Sequence, residues 1–220
     1  MELTEKELRD LEQQLSCPEG KEGVAVSKIM NETNIKMSIA SLDGLNLKEK
    51  DYLLEIGHGN CGHLDKVFEY SNDVSYFGLE ISKTMKDEAE TLNQERVFSK
   101  SASFYLYDGL VIPFSDNSFD KVVSVNTIYF WKKPKAFLKE VSRVLKKDGV
   151  FVVTFVKPES MKGLPFVKDK FTLYDKKKIV ELLIGTSLFL VEFIDKIENV
   201  KSKTGEWVDR QFIVAKLTKK

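Results

Sequence analysis

The sequence of 220 residues has few cysteines and no long apolar run. Cys17 and Cys61 are too few for a disulfide framework or a cysteine zinc site, so both thiols are expected to be reduced. The longest apolar stretch, residues 150–156, is far shorter than the ~20 residues that a membrane helix needs. Residues 1–7 are charged and lack the apolar segment of a secretory signal. These absences predict a cytoplasmic protein without a membrane span.

An excess of charge of either sign is also absent, because 34 Lys and Arg residues balance 34 Asp and Glu residues. Proteins that bind duplex nucleic acid are usually basic and often use arginine, but only four residues here are arginine. We therefore predict no nucleic-acid partner. Two histidines and two cysteines leave mainly carboxylates as metal ligands, and these show no metal-binding spacing, so we predict no metal site.

Residues 1–44 are predicted to form a helical extension of a single domain whose core is residues 45–220. A capping-box pattern starts at Thr4, and leucines then recur at helical spacing. The pattern next predicts two shorter helices, residues 24–32 and, from an Asn34 cap, residues 35–42.

From residue 51 onward, apolar strand patterns alternate with helical ones. The predicted strands are residues 52–56, 74–79, 103–107, 121–125 and 150–156, and the predicted helices are residues 64–70, 84–93, 134–145 and 176–183. Such alternation is typical of an α/β fold with a mostly parallel sheet and helices on both faces. Two final strands, residues 188–197 and 207–217, are joined by a polar connection, which predicts an antiparallel C-terminal hairpin at the sheet edge.

The sharpest motif is a glycine loop, residues 57–62, which follows the first predicted strand and precedes a helix. Its sequence is Gly-His-Gly-Asn-Cys-Gly, the spacing Gly-x-Gly-x-x-Gly. Glycines there allow a tight turn and close backbone approach, and the helix that follows offers free N–H groups to a polar ligand. Glu80 ends the second strand, where a carboxylate can accept both ribose hydroxyls of a nucleotide-like ligand. Both features fit a nicotinamide dehydrogenase or another adenosyl-cofactor enzyme.

Three further features favour the second alternative. The first is Glu55, a charged residue within the apolar first strand, which needs a compensating partner if it is buried. The second is the pair of segments Asp-Gly and Asn-Ser-Phe-Asp within residues 108–120. The third is the predicted C-terminal hairpin. Together these segments resemble class I S-adenosylmethionine-dependent methyltransferases, particularly the small-molecule group that includes the ubiquinone/menaquinone-biosynthesis enzymes. Residues 144–149 are similar to the family's turn before strand five, although Lys147 and Asp148 replace its Pro-Gly.

This resemblance implies a Rossmann-like sheet of seven strands and the cofactor S-adenosyl-L-methionine, which becomes S-adenosyl-L-homocysteine. It implies that Glu55, Gly57 and Gly59 surround the methionine part, that Glu80 binds the ribose, and that Asp108 meets the adenine edge. The cofactor-binding residues that we predict are Glu55, Gly57, His58, Gly59, Asn60, Gly62, Glu80, Ile81, Asp108, Gly109 and Asn126.

The acceptor side is predicted from the segment after the fourth strand. Tyr129, Phe130 and Trp131 either line a substrate pocket or serve only as packing. Asn126 and Tyr129 match the ends of the Asn-Pro-Pro-Tyr motif of enzymes that methylate nucleobase amines, but both prolines are absent. We expect Met30, with its neighbours 29 and 31, and the connection 157–170 to form a lid and acceptor pocket.

These observations predict in-line transfer of a methyl group to a small-molecule acceptor. Orientation alone supplies much of such a rate, so a dedicated catalytic side chain is optional; Tyr129 or His58 is the candidate base if a proton must leave. Removal of residues 1–40 is expected to damage turnover more than folding. An NAD(P)-dependent oxidoreductase and a catalytically silent adenosyl-binding module remain alternatives, and the acceptor and oligomeric state remain open.

Overall fold

The computed structural model describes residues 3–201 and 207–220, and it contains one seven-stranded sheet. The strands are β1 (Tyr52–Ile56), β2 (Ser75–Glu80), β3 (Ala102–Leu106), β4 (Phe119–Val125), β5 (Leu145–Val156), β6 (Leu188–Lys201) and β7 (Trp207–Lys219). The helices are α1 (Glu5–Ser16), α2 (Gly20–Leu45), α3 (Leu64–Tyr70), α4 (Lys83–Leu92), α5 (Gln94–Phe98), α6 (Pro134–Val144), α7 (Pro158–Met161) and α8 (Lys176–Leu183). A 3₁₀ turn covers Ile128–Phe130.

The sheet has the strand order β3-β2-β1-β4-β5-β7-β6. Strands β1 to β5 run parallel, whereas β7 pairs antiparallel with both β5 and β6. This confirms the predicted mostly parallel α/β sheet with an antiparallel C-terminal hairpin. The chain reverses its direction across the sheet between β1 and β4, and ligands of open α/β sheets bind at the carboxyl ends of the strands at such a point.

The core is formed where apolar faces of the helices meet the sheet. Pro134 opens α6, as predicted, and the helix turns Phe137, Leu138 and Val141 inward onto buried β5. Every residue of β5 from 151 to 156 is buried, which is why this strand reads as a continuous apolar run. Within the described residues, no helix has the length and apolar character that crossing a membrane requires.

The N-terminal region differs from the prediction, because residues 20–45 form one continuous helix instead of two. Asn34 does not cap a new helix; its Oδ1 accepts a hydrogen bond from Arg210 Nη1 at 3.2 Å. Gly44 lies within α2, and a Cβ at this position would lie 3.3 Å from Val152 Cγ2. The glycine lets the helix approach β5 closely, and Asn46, with a left-handed φ of 51°, ends α2 instead.

The second half of α2 belongs to the core. Met37 and Leu45 are completely buried, and α2 contacts β4, β5 and β7. Removal of residues 1–40 would take away buried Met37 and Ala40, so we expect it to affect folding as well as turnover, and the expectation that turnover suffers more stays a prediction.

Two strand boundaries also differ from the prediction, and two short helices are additional to it. Strand β5 begins at Leu145, before the predicted turn at residues 148–149, and its pairing with β4 shifts register between Phe119 and Lys121. The short helices α5 and α7 were not predicted. Strand β6 continues to Lys201, so residues 198–201 of the predicted polar connection pair with β7, whereas 202–206 lie outside the described residues.

Candidate active site

A cavity opens at the carboxyl ends of β1, β2 and β4, around the glycine loop. Gly57 and Gly59 have left-handed φ values of 73° and 59°. The two glycines are required for different reasons. A Cβ at Gly57 would collide with Thr127 Cγ2, whereas a Cβ at Gly59 would meet no atom within 4 Å. The loop is thus packed against the protein at its first glycine and open toward the cavity at its second.

Glu80 fastens this loop to the end of β2. Its Oε2 accepts the Gly59 N–H at 3.0 Å, and its Oε1 accepts the N–H groups of Ile81 and Ser82 at 2.7 and 3.2 Å. Burial raises the pKa of Glu80 above its usual value, although the three backbone donors act in the opposite direction. The carboxylate is held in one orientation at the cavity wall.

Glu55 has the compensating partner that its buried position demands. His63 Nε2 lies 3.0 Å from both Glu55 carboxylate oxygens, and the Tyr76 hydroxyl donates to Oε2 at 2.7 Å. Burial alone would raise the pKa of Glu55, but the His63 charge and these hydrogen bonds outweigh it and lower that pKa. Burial likewise opposes the charged form of His63, but Glu55 overcomes it and raises the His63 pKa.

Cys61 belongs to the same buried cluster. Its Sγ lies 3.2 Å from the Tyr76 hydroxyl, and burial raises the thiol pKa well above its usual value. The ligand atoms of Glu55, Cys61 and His63 lie within 4.8 Å of one another, a grouping that the spacing of the sequence did not reveal. Glu55 bonds to His63 and Tyr76, and Cys61 bonds to the same Tyr76 hydroxyl, all at hydrogen-bond distances. The polar groups of the cluster are therefore satisfied by one another.

His58, a member of the glycine loop, is buried, and its ring packs edge-to-face with Phe104 at a centroid distance of 5.0 Å. Gly78 makes room for this ring, because a Cβ there would lie 2.6 Å from His58 Cδ2. Neither ring nitrogen has a hydrogen-bond partner among the described residues. Burial lowers the pKa of His58 to about 4, which keeps the imidazole neutral at neutral pH.

The structure brings most of the predicted site residues to this one cavity. Those that line it are Met30, Glu55, Gly57, His58, Gly59, Asn60, Glu80, Ile81, Gly109, Asn126, Phe130 and Trp131. Gly62 lies just behind the lining, where its N–H donates to Asn60 Oδ1 at 3.2 Å. Asp108 lies beside lining residue Gly109, and its Oδ1 accepts the N–H groups of Leu110 and Val111 at 2.8 and 2.9 Å.

Tyr129 faces a second cavity instead, which adjoins the first. Its hydroxyl donates to Asn126 Oδ1 at 2.8 Å and accepts the Val156 N–H at 2.6 Å. Burial raises the pKa of this hydroxyl well above its usual range. The Tyr129 hydroxyl already donates one hydrogen bond and accepts another, and its pKa is high, so the case for Tyr129 as a base is weak.

A polar stripe of α2 lines the first cavity, and of its members only Asn31 was predicted to lie near the site. Its members are Ser27, Asn31, Asn34 and Ser38. Their spacing of three or four residues places them on one helix face, and this spacing was the available signal. The predicted break at Asn34 hid the periodicity. The end of α1 also contributes Leu15 and Ser16.

With this geometry in view, comparisons with known proteins identify the domain. Residues 54–153 match the family model described as a methyltransferase domain. An uncharacterised protein of Methanocaldococcus jannaschii is 34% identical over 108 residues, which are 49% of this chain and 38% of that protein. The malonyl-[acyl-carrier protein] O-methyltransferase of Porphyromonas gingivalis is 21% identical over 135 residues, which are 59% of this chain and 52% of that enzyme. A methyltransferase domain therefore spans residues 54–153 of the chain.

Solved structures have the same fold as this chain. A chain from the complex of the Haloferax volcanii Trm112 methyltransferase activator with a methyltransferase has a TM-score of 0.71 at 18% identity, covering 89% of this chain and 94% of that one. The [4+2]-cyclase SpnF has a TM-score of 0.67 at 18% identity, covering 84% and 80%. The matched parts of the chain cover only 38% and 52% of the lengths of the two curated relatives named above. The resemblance to the ubiquinone/menaquinone group stays a prediction.

Proposed function

We propose that this methyltransferase binds S-adenosyl-L-methionine in the glycine-loop cavity and transfers its methyl group to a small-molecule acceptor. One observation carries the proposal: Glu80, at the carboxyl end of β2, accepts the Gly59 N–H close to the point where the strand order reverses between β1 and β4. A carboxylate with fixed orientation beside an open glycine is the arrangement that a ribose and its neighbouring polar chain require.

The residues of the cavity fit the cofactor part by part. Glu80 Oε2 accepts one N–H group and keeps a lone pair for a ribose hydroxyl, whereas Oε1 already accepts two N–H groups. Ile81 and Gly109 flank the side expected to take the adenine, and Glu55 and Asn60 stand at the side expected to take the methionine. When bound, S-adenosylmethionine supplies an electrophilic methyl group on a sulfonium sulfur.

The chain's own contribution is orientation and exclusion of water. Helices α1 and α2 cover the cavity, and the aromatic side chains of Phe130 and Trp131 line its acceptor side. Holding two reactants in attack geometry can supply ~7–11 kcal/mol of the barrier. Neutral His58 and the doubly hydrogen-bonded Tyr129 are weak bases at neutral pH, so we infer that the methylated product carries the acceptor's proton out of the cavity and releases it to bulk solvent.

Two alternatives make different predictions. An NAD(P)-dependent oxidoreductase would bind NADH in the same cavity, but the buried Glu55–His63 pair and the C-terminal hairpin favour the methyltransferase. A silent adenosyl-binding module would bind the adenosyl ligands there without transferring a methyl group.

Calorimetric titration with S-adenosylmethionine, S-adenosylhomocysteine and NADH tests the proposal. We expect micromolar binding of the two adenosyl ligands, weakened by Glu80→Ala and Asp108→Ala and unchanged by Asp87→Asn, which alters an exposed carboxylate on α4. Binding of NADH alone would contradict the proposal. Adenosyl binding without transfer of labelled methyl to any acceptor would favour the silent module.

A further inference from the structure

A second cavity of about 130 Å³ adjoins the proposed cofactor cavity. Five residues line both: Leu15, Met30, Asn34, Asn126 and Phe130. The second cavity therefore opens directly onto the place where the methyl group is expected, and its remaining wall comes from β5, β7 and residues 160–171.

The walls of this second cavity are mainly aromatic and aliphatic, and its uncharged polar lining residues are Thr33, Asn34, Asn126 and Ser160. Phe130 and Phe171 meet edge to face with ring centroids 4.7 Å apart, and Tyr129 packs beside both. Buried Met161 and partly exposed Leu164 complete the apolar surface. An engineered apolar cavity of about 150 Å³ accepts one benzene molecule, so the cavity here has room for about one six-membered ring or a short branched chain.

Arg210 is the only charged residue among the fourteen described residues that line the second cavity. Its Nε and Nη2 donate to Glu198 Oε1 at 2.9 and 2.8 Å, and Glu198 is itself buried. Its Nη2 also donates to Thr33 O, and its Nη1 to Asn34 Oδ1. A carboxylate ligand would have to compete with Glu198, and an ammonium ligand would meet the guanidinium, so neither charge is matched there.

We propose that the methyl acceptor is an uncharged, mainly apolar molecule whose ring or short branched body of about six to ten heavy atoms occupies this second cavity. The inference rests on the proposed function. The acceptor's nucleophilic atom passes Asn126 and Phe130 and forms a bond to the methyl carbon. The carbon–sulfur bond breaks, its electron pair stays on sulfur, and S-adenosylhomocysteine forms. The methylated product keeps the acceptor's proton until it leaves the cavity and releases it to bulk solvent.

A buried carboxylate closes the cover over this occupant. Glu12 of α1 is buried, and its Oε1 accepts the N–H groups of Lys168 and Lys170 at 3.2 and 2.8 Å. The end of α1 and residues 160–171 thereby form one continuous cover, which excludes water from an apolar ligand.

Three phenols that share a ring test the charge preference: p-cresol is neutral, 4-hydroxybenzoate is an anion and tyramine is a cation. They are titrated into the full chain after saturation with S-adenosylhomocysteine. We expect p-cresol to bind at least 10-fold more tightly than either charged phenol. Equal or tighter binding of a charged phenol, or no binding of p-cresol at millimolar concentration, would overturn the inference.

Two variants test whether binding occurs in the second cavity. Glu198→Gln removes the neutralising charge while Thr33 and Asn34 still hold Arg210, so 4-hydroxybenzoate should gain at least 10-fold in affinity. Asp209→Asn, on the same hairpin but outside the lining, should leave all three affinities unchanged. An unchanged affinity of the anion for folded Glu198→Gln would contradict the assignment of Arg210 to the site.

A blocking variant keeps the test valid if Glu198→Gln does not fold. Leu164→Trp places an indole at the cavity wall and should weaken p-cresol at least 10-fold without changing S-adenosylhomocysteine affinity, whereas Lys162→Trp, on the same exposed connection, should change neither. Undisturbed p-cresol binding to Leu164→Trp would overturn the inference. Failure of S-adenosylhomocysteine itself to bind would instead refute the proposed function.

Discussion

His63 Nε2 lies 3.0 Å from both carboxylate oxygens of Glu55, and both side chains are buried. His63 immediately precedes α3 and Glu55 lies on β1, so the pair connects the two elements that flank the glycine loop. A buried charge without its partner is strongly unfavourable. The buried pair therefore holds the two ends of the loop together, while Glu80 holds Gly59 at the cavity wall.

Replacing His63 by leucine should destabilise the fold by about 3–5 kcal/mol, because Glu55 would remain as an uncompensated buried charge. Urea unfolding measures the change in the free energy of unfolding. Asp87→Asn, which breaks an exposed ion pair with Lys83, serves as the control and should change stability little. A small effect of His63→Leu would mean that Glu55 is neutral in the folded chain.

The same pair predicts a defined pH dependence. The pKa of Glu55 is lowered from 4.5, so its contribution to stability is present above that value and is lost as pH falls through the folded pKa. The pKa of His63 is raised from 6.5, so its contribution is full below 6.5 and is lost as pH rises through the folded pKa. Unfolding free energies measured across pH should lose this alkaline decline in His63→Leu, and its persistence would assign it to another group.

His58 should act in the opposite sense to His63. Its folded pKa is about 4 against 6.5 for the free side chain, so the unfolded chain binds the proton first and stability falls as pH drops from 6.5 toward 4. His58→Leu should flatten this acid limb and cost little stability at pH 7, because two unpartnered buried nitrogens disappear. An unchanged acid limb in the stability profile would contradict this account.

Glu80→Gln should weaken S-adenosylhomocysteine binding about 10- to 100-fold, since a charged hydrogen bond contributes about 1.5–3 kcal/mol. The amide also cannot accept all three N–H groups that the carboxylate holds. Calorimetry measures the affinity, and circular dichroism checks the fold. Full affinity in the variant would exclude Glu80 as a ribose ligand.

The two loop glycines should separate folding from binding. Gly59→Ala carries the strain of a left-handed backbone, about 1–2 kcal/mol, but its Cβ enters open space, so the protein should fold and lose ligand affinity. Gly57→Ala adds a collision with Thr127 and should destabilise the fold further. Thermal unfolding and calorimetry on both variants distinguish these effects, and intact ligand affinity in Gly59→Ala would show that no ligand group approaches that glycine.

The local parts of the fold and site were predictable from the sequence. The glycine loop, Glu80 and the hairpin depend on spacings within short segments, and the structure has them as predicted. The continuous helix α2 was not predicted, because Asn34 resembles a cap until Arg210, far along the chain, is seen to bind it. The second cavity was unpredictable as a whole for the same reason, since five separate parts of the chain form its wall.

The strand order β5-β7-β6 has a consequence for how the chain is made. Among the described strands β6 pairs with β7 alone, yet β6 precedes β7 in the sequence. During synthesis, residues 188–201 therefore emerge before the strand with which they pair. They join the sheet only when β7 pairs with both β5 and β6. Because β7 also carries Arg210, the nascent chain completes its sheet and the wall of its second cavity in the same late step.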